Sequence, residues 1–218
     1  MKPIALSKTL HPDDFDLLSE ELELVDKHFT SAAPQHPMRR WEYAMALRAT
    51  SFCADYPGVC YDVGGAGSPF LTMIDELYKT KLNFMEVVDP AVSASLEYYV
   101  QKNPHLADVV YCISVLEHIP PKDLPRFLYH LGCLVAPGGV LFLTVDSCDC
   151  TRHDASHPDQ HHFHWMREQI FTWYGFLDNI VEPLFDEHFT PLGEVQLAYN
   201  GNYVYDYTFC SYALIKDR

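Results

Sequence analysis

Basic residues are scarce: Lys and Arg together number 15 against 30 Asp and Glu, which leaves a formal charge of -15 with histidine neutral. A polyphosphate backbone is repelled by such a field, so nucleic acid is not expected as a partner. Long apolar runs are missing as well. The stretches Val109 to Leu116 and Val140 to Val145 fall far short of the ~18 residues that a membrane helix requires, so no membrane association is expected. Residues Met1 to Lys8 carry no apolar segment of the kind found in a secretory leader. Tracts rich in Gly, Ser or Pro that would separate domains are absent, as are internal repeats and low-complexity segments. The seven cysteines are odd in number, and Cys60, Cys112 and Cys133 sit within apolar runs. There they read as buried small hydrophobes in a reducing compartment, which makes the cytoplasm the expected location. Cys148-x-Cys150 lacks the spacing and the second pair of a zinc site, so no metal is expected there.

What is present suits one core of ordinary size: 218 residues, 48% of them hydrophobic and 21% charged. Phe15, Leu18, Leu22, Val25 and Phe29 recur at helical spacing and predict a helix from about Pro12 to Phe29, with Asp13, Asp14 and Asp16 against the positive end of its dipole. Met38, Trp41, Met45, Ala49 and Phe52 form the stripe of a second helix. From Val59 onward, short apolar runs alternate with helical patterns, as in a parallel sheet with crossover helices. The expected strands are Val59 to Val63, Leu82 to Val88, Ala107 to Ser114 and Val140 to Val145, the last entered through a turn at Pro137-Gly138-Gly139. Ser68-Pro69 opens one helix and Pro125 another. Residues 147 to 171 are irregular and rich in His, Thr172 caps a further helix, and Asn200-Gly201 centres a closing antiparallel hairpin.

The sharpest local signal is Tyr61-Asp62-Val63-Gly64-Gly65-Ala66-Gly67-Ser68, a glycine-rich turn between a strand and a capped helix. Glycines let the backbone approach a ligand, and the helix N-terminus offers free N–H donors. An ordinary strand-to-helix turn uses the same glycines for geometry alone. Asp89 ends the next strand, where an acid in a doubly wound sheet reaches the hydroxyls of a ribose. The dinucleotide fingerprint fails, because the frame from Gly65 places Phe70 where its last glycine stands. A nicotinamide-dependent oxidoreductase is disfavoured on that ground.

These segments resemble the class I S-adenosylmethionine-dependent methyltransferase family. The resemblance rests on Asp62-Val63-Gly64-Gly65-Ala66-Gly67-Ser68, on Asp89, on the run from Ala107 to Ile119 with its Leu116-Glu117-His118 turn, and on Leu134 to Leu141 with its Pro-Gly-Gly turn. Ala66 and Ser68 occupy places where the commonest family pattern has glycine, and the chain between Asp89 and Asp108 is short for a full helix, strand and helix. A shortened crossover is therefore expected, with Val92 to Ser95 as a stub of strand and Leu96 to Gln101 helical.

The resemblance implies a doubly wound α/β fold: a mainly parallel seven-stranded sheet with an antiparallel C-terminal hairpin strand, preceded by helices. One domain over 1–218 would divide into a helical cap (1–57), a cofactor-binding half (58–146), a His-rich lid and helix (147–190) and a closing hairpin (191–218). It implies S-adenosylmethionine as cofactor, held by Asp62, Gly64, Gly65, Gly67, Asp89, Ser95, Leu96 and Ser114. Arg39, Arg40, Trp41 and Glu42 in the preceding helix are placed to reach the methionine carboxylate or the substrate, with Arg40 and Glu42 the chosen contacts; a core Trp41 with surface arginines is the other reading. The implied reaction is methyl transfer to an oxygen or nitrogen of a small-molecule acceptor. His118, His161 and His164 are the candidate bases, since imidazole titrates near working pH. His153 and His157 are equally at home in a polar loop, and Pro158 argues against the helix that would align His153, His157 and His161 on a metal. A protein that keeps the fold and binds the cofactor without turnover is the alternative.

Overall fold

The computed structural model describes residues 4–29, 37–53, 57–65, 70–78, 81–85, 92–102, 106–120, 122–148, 171–172, 181–186, 188–196 and 208–218. Strand β1 (Ser7–Thr9) precedes two short helices, α1 (Asp14–Leu17) and α2 (Ser19–His28), where the sequence pattern predicts one. The interruption falls at Leu18, whose backbone leaves the helical region at φ -101° and ψ 16° while its side chain is fully buried. The predicted stripe still points inward, with Leu18, Leu22, Val25 and Phe29 all in the core. Helix α3 (Pro37–Thr50) ends before Phe52, which is left 58% exposed, so the predicted stripe runs one turn too far.

The sheet contains β2 (Val59–Val63), β3 (Lys81–Met85), β4 (Ala107–Ile113), β5 (Val135–Cys148), β6 (Phe171–Thr172), β7 (Phe189–Pro191), β8 (Val195–Gln196) and β9 (Thr208–Lys216) besides β1. Its main path has seven strands in the order β3-β2-β4-β5-β9-β1-β8, with β6 beside β5 and β7 beside β9. Pairs among β3, β2, β4 and β5 are parallel, and β9 runs antiparallel to β5 from Val140↔Ile215 to Ser147↔Thr208. The expected mainly parallel sheet with an antiparallel end is therefore what forms, but its membership differs from the prediction. Residues from Val92 to Ser95 are not a strand: helix α5 spans Val92–Lys102, and Leu96 is fully buried in the core with Tyr99 and Val100 packed behind it. The closing turn at Asn200-Gly201 lies outside the described residues.

Side chains alternate across the sheet as a two-fold repeat requires. Val109, Tyr111, Val140 and Phe142 face α2, α3 and α4 (Phe70–Tyr78), and Val110, Cys112, Leu141 and Leu143 face α5, α6 (Leu124–Leu134) and α7 (Glu182–Asp186). Each large apolar side chain fully withdrawn from water contributes roughly 1.5–3 kcal/mol, and both faces are covered, which is why the central strands read as nearly continuous apolar runs. The Asp108 carboxylate accepts the N–H groups of Gly58 (2.7 Å) and Val59 (3.0 Å), fixing the start of β2 beside β4. The expected turn at Pro137-Gly138-Gly139 is a bulge inside one long strand. Register slips there between the pairs Ala107↔Val135 and Val109↔Val140, Gly138 takes φ 78°, and a Cβ on Gly139 would come within 2.9 Å of the Ala107 and Ala136 carbonyl oxygens.

Candidate functional site

The carboxyl ends of β2, β4 and β5 meet the N-terminal half of α3, and this junction collects the polar groups that the two cores exclude. At the end of β2, Gly64 takes φ 89°, a conformation that favours glycine, and a Cβ there would strike the Val115 side chain. A Cβ on Gly65 would fall on the Asp62 carboxylate. Both glycines are thus required by close approach, one to the turn after β4 and one to the acid that precedes it. Asp62 is 3% exposed, and burial pushes its carboxyl up to about 7 against the opposing pull of Arg39.

At the end of β4 the backbone is strained: Ser114 adopts φ 50°, a left-handed conformation outside glycine's licence. Its N–H donates to the Thr144 carbonyl (3.2 Å) and hydroxyl (3.0 Å), and its own hydroxyl donates to Glu42 Oε1 at 2.6 Å. Thr144 also donates its hydroxyl to Glu42 Oε1, and Arg39 Nη1 lies 3.0 Å from Glu42 Oε2. Glu42 is wholly buried, so one carboxylate on α3 ties together β4, β5 and a guanidinium.

The chain then turns through a 3-10 segment, Leu116–His118. Glu117 is 2% exposed, and its Oε2 has no hydrogen-bond partner among the described residues. Burial drives the Glu117 carboxyl well above the usual range, with Asp146 at the end of β5 and Glu42 adding repulsion that its own backbone amide and Arg39 offset in part. Burial alone would make Arg39 easier to deprotonate, yet Glu42, Tyr43, Glu117 and Asp146 outweigh it and hold the guanidinium charged. Cys112 feels both Glu117 and Asp62, and its buried thiol is pushed well up, which makes it inert as a nucleophile. The result is four carboxylates, Glu42, Asp62, Glu117 and Asp146, about one arginine.

Of the residues chosen from sequence, Asp62, Gly64, Gly65, Glu42 and Ser114 are brought to this junction, and His118 lies exposed in the turn that carries Glu117. Arg40 is not brought there. It turns outward to Asp26, with Nε 2.7 Å from Oδ1, and its neighbour Arg39 takes the inward place one position earlier on the helix. Trp41 is core, its indole N–H donating to Asp14 Oδ2 at 3.0 Å. Leu96 belongs to the core on the opposite face of the sheet. Gly67, Asp89, His161 and His164 lie outside the described residues, as does the side chain of Ser95. Thr144 and Asp146 were not foreseen; the signal was two polar residues at alternate positions near the end of an otherwise apolar strand. Among the described residues no three His, Cys, Asp or Glu are grouped to hold a metal ion.

Residues 37–188 match a family model described as a methyltransferase domain. The chain belongs to that family. The match opens on α3, so it includes Arg39 and Glu42 as well as the glycine turn. Three solved methyltransferases share the architecture at low identity. The N-methyltransferase NodS from Bradyrhizobium japonicum WM9, in complex with S-adenosyl-L-homocysteine, is 14% identical with a TM-score of 0.58 over 91% of this chain and 99% of its own. Geranyl diphosphate C-methyltransferase from Streptomyces coelicolor A3(2), bound to Mg2+, geranyl diphosphate and S-adenosyl-L-homocysteine, is 10% identical with a TM-score of 0.56 over 94% and 99%. The 1,6-didemethyltoxoflavin-N1-methyltransferase of Burkholderia thailandensis, with its substrate and S-adenosylhomocysteine, is 15% identical with a TM-score of 0.55 over 100% and 93%. At such identities the likeness is one of fold. No curated protein matches this methyltransferase in sequence.

Proposed function

We propose that this methyltransferase, acting as one unit over residues 1–218, binds S-adenosylmethionine and transfers its methyl group to an oxygen or nitrogen of a small-molecule acceptor. The observation that carries the reading is the turn at Gly64 and Gly65, where neither position admits a Cβ and the backbone is left bare beside a buried acid at the carboxyl end of β2. That is a cradle suited to a nucleoside-linked amino acid, at the place where ligands bind in open α/β sheets. Asp62, Gly64, Gly65 and Gly67 would hold the cofactor's amino-acid end, and Asp89 its ribose. Ser95 belongs to the adenine side in this reading, while Leu96 serves the core. Ser114, with Glu42 behind it, would line the pocket, and Arg39 supplies the cation for the methionine carboxylate that sequence reasoning sought in Arg40.

The cofactor brings the chemistry, a methyl group on a sulfonium that is reactive by itself. The protein's role is placement: holding donor and acceptor in line and excluding water accounts for about 7–11 kcal/mol of barrier in well-oriented systems. Removing a proton from the acceptor falls to a histidine, with His118, His161 and His164 the candidates. The excess of acid over base in the chain disfavours a nucleic acid as acceptor. No helix among the described residues is long and apolar enough to cross a membrane, which is compatible with a freely diffusing acceptor.

The test is calorimetric titration with S-adenosylmethionine and S-adenosylhomocysteine, NADH as control, repeated on Asp89→Ala. Adenosyl compounds should bind, and the substitution should weaken them by about 1 kcal/mol or more, the scale of a hydrogen bond to a charged group. Folded protein that binds neither compound overturns the reading.

A further inference from the structure

The Glu42 carboxylate is fully withdrawn from water, and the ends of two strands each give it a hydroxyl. Ser114 donates to Oε1 at 2.6 Å, and Thr144 donates to the same oxygen. The Thr144 oxygen accepts the Ser114 N–H at 3.0 Å, so its single proton is left for the carboxylate. Two donated hydrogen bonds on Oε1, with Arg39 Nη1 3.0 Å from Oε2, hold Glu42 in one orientation. A buried acid needs such partners merely to be tolerated. The arrangement at Glu42 goes further, because what it holds on its other oxygen is a side chain that reaches solvent.

Arg39 lies three residues before Glu42 on α3, with its side chain 35% exposed. Arg40, the next residue, shows the other course open to an arginine on this turn: it points outward and pairs with Asp26 on α2. A guanidinium carries five N–H donors in a planar fork, and the pair with Glu42 occupies one nitrogen of Arg39, which leaves the fork able to receive a second carboxylate. The line of contacts runs on to the glycine turn. Ser114 is followed by Val115, and a Cβ on Gly64 would come within 2.4 Å of the Val115 side chain. Gly64, Val115, Ser114, Glu42 and Arg39 are thus joined in sequence by packing, a peptide bond, a hydrogen bond and an ion pair. We propose that Glu42 is a positioning residue: anchored by Ser114 and Thr144, it holds Arg39 inward, so that the adenosyl cofactor is selected by its α-carboxylate. This rests on the methyltransferase reading above and deepens its assignment of Arg39 to the methionine carboxylate.

The experiment titrates the full chain calorimetrically with S-adenosylmethionine and with its decarboxylated form, which keeps the adenosine, the sulfonium and the amine and lacks only the carboxylate. The parent should bind S-adenosylmethionine at least tenfold more tightly. Arg39→Met should reduce that preference to about threefold or less. Glu42→Gln should do the same, since the amide still accepts both hydroxyls at its oxygen but turns an NH2 group toward Arg39. In both variants the decarboxylated compound should bind within about threefold of the parent, a control that a merely structural role for Glu42 would not pass. Thr144→Val loosens the same anchor without touching the ion pair and should also lower the preference, whereas Thr144→Ser, which keeps the hydroxyl, should restore it; this pair decides the matter if Glu42→Gln does not fold. A parent that binds the two compounds equally overturns the proposal. So does a preference lost in Arg39→Met but kept in Glu42→Gln and Thr144→Val, or a parallel loss of both compounds in the Glu42 and Thr144 variants. Failure of the folded parent to bind either compound fells the underlying methyltransferase reading instead, before any variant is compared.

Discussion

Ser114 donates its hydroxyl to Glu42 across 2.6 Å, joining residues 72 apart in the chain. The bond ties the strained end of β4 to the helix that carries Arg39, beside the Thr144 hydroxyl that donates to the same carboxylate. Ser114→Ala removes a hydrogen bond to a carboxylate and should destabilise the fold by about 1.5–3 kcal/mol. Ser114→Gly removes the same bond but relieves a left-handed conformation that costs roughly 1–2 kcal/mol in an L-residue, so its loss should be smaller. Urea midpoints of the two variants, at unchanged slope, check the order.

Gly65→Ala places a methyl group on the Asp62 carboxylate, and Gly64→Ala places one on Val115 with the backbone at φ 89°. Both should lower S-adenosylhomocysteine affinity at least tenfold, measured by calorimetry. Gly64→Ala should also lose stability, because its clash is with a packed side chain and its backbone is strained.

The folded protein holds the Asp62 proton up to about 7, and the Glu117 carboxyl is raised as well. The unfolded chain releases such protons near pH 4. Above that point the folded state binds more protons than the unfolded one, so this contribution to stability is full below pH 4 and is lost as pH rises through 7. Asp62→Asn removes the Asp62 share. Its stability curve should be flatter between pH 4 and 8, with an advantage over the parent at pH 8 of at most about 4 kcal/mol and little difference at pH 4. Urea unfolding at four pH values reads this directly.

Arg48 and Glu21 form a buried ion pair that joins α3 to α2, with Arg48 also donating to the Leu17 carbonyl at 3.2 Å. Arg48→Met leaves Glu21 charged and alone, at a cost of about 3–5 kcal/mol. Arg48→Met combined with Glu21→Leu should recover most of that loss. A double-mutant cycle in urea measures the coupling.

Sequence reasoning located the central strands and the glycine turn because buried parallel strands are written as apolar runs and turns as glycines. The strand ends beyond Val63 and Ile113 were legible for the same reason, and Asp62, Glu42 and Ser114 with them. It failed where tertiary context outweighs the local pattern. Pro137-Gly138-Gly139 has turn chemistry, yet the pairing of β5 with β4 and β9 absorbs it as a bulge. The short crossover predicts a stub of strand at Val92 to Ser95, yet the burial of Leu96 carries the whole segment into α5. Ser7–Thr9 is too short to show a period, and its partners are remote: Lys8 pairs with Ser211 and Thr9 with Cys210. The choice between Arg39 and Arg40 turns on about 100° of helix rotation, which the seating of Trp41 against Asp14 and of Arg48 against Glu21 fixes.

That pairing of β1 with β9 sets an order of events. A strand at residues 7–9 has no sheet to join until residues 208–216 have been made, because its neighbours are β9 and β8 alone. The central strands and α4 through α6 are all complete in sequence before that moment, and contacts so far apart along the chain form late and slowly. Strand β1 therefore waits for the far end of the polypeptide, whereas α2 meets α3 through Arg48–Glu21 and Arg40–Asp26, which are complete early in the chain. A nascent chain stopped just short of residue 208 would carry the parallel strands β2 to β5 and lack the edge on which β1 seats, so closing the N-terminal strand marks the last step of folding rather than the first.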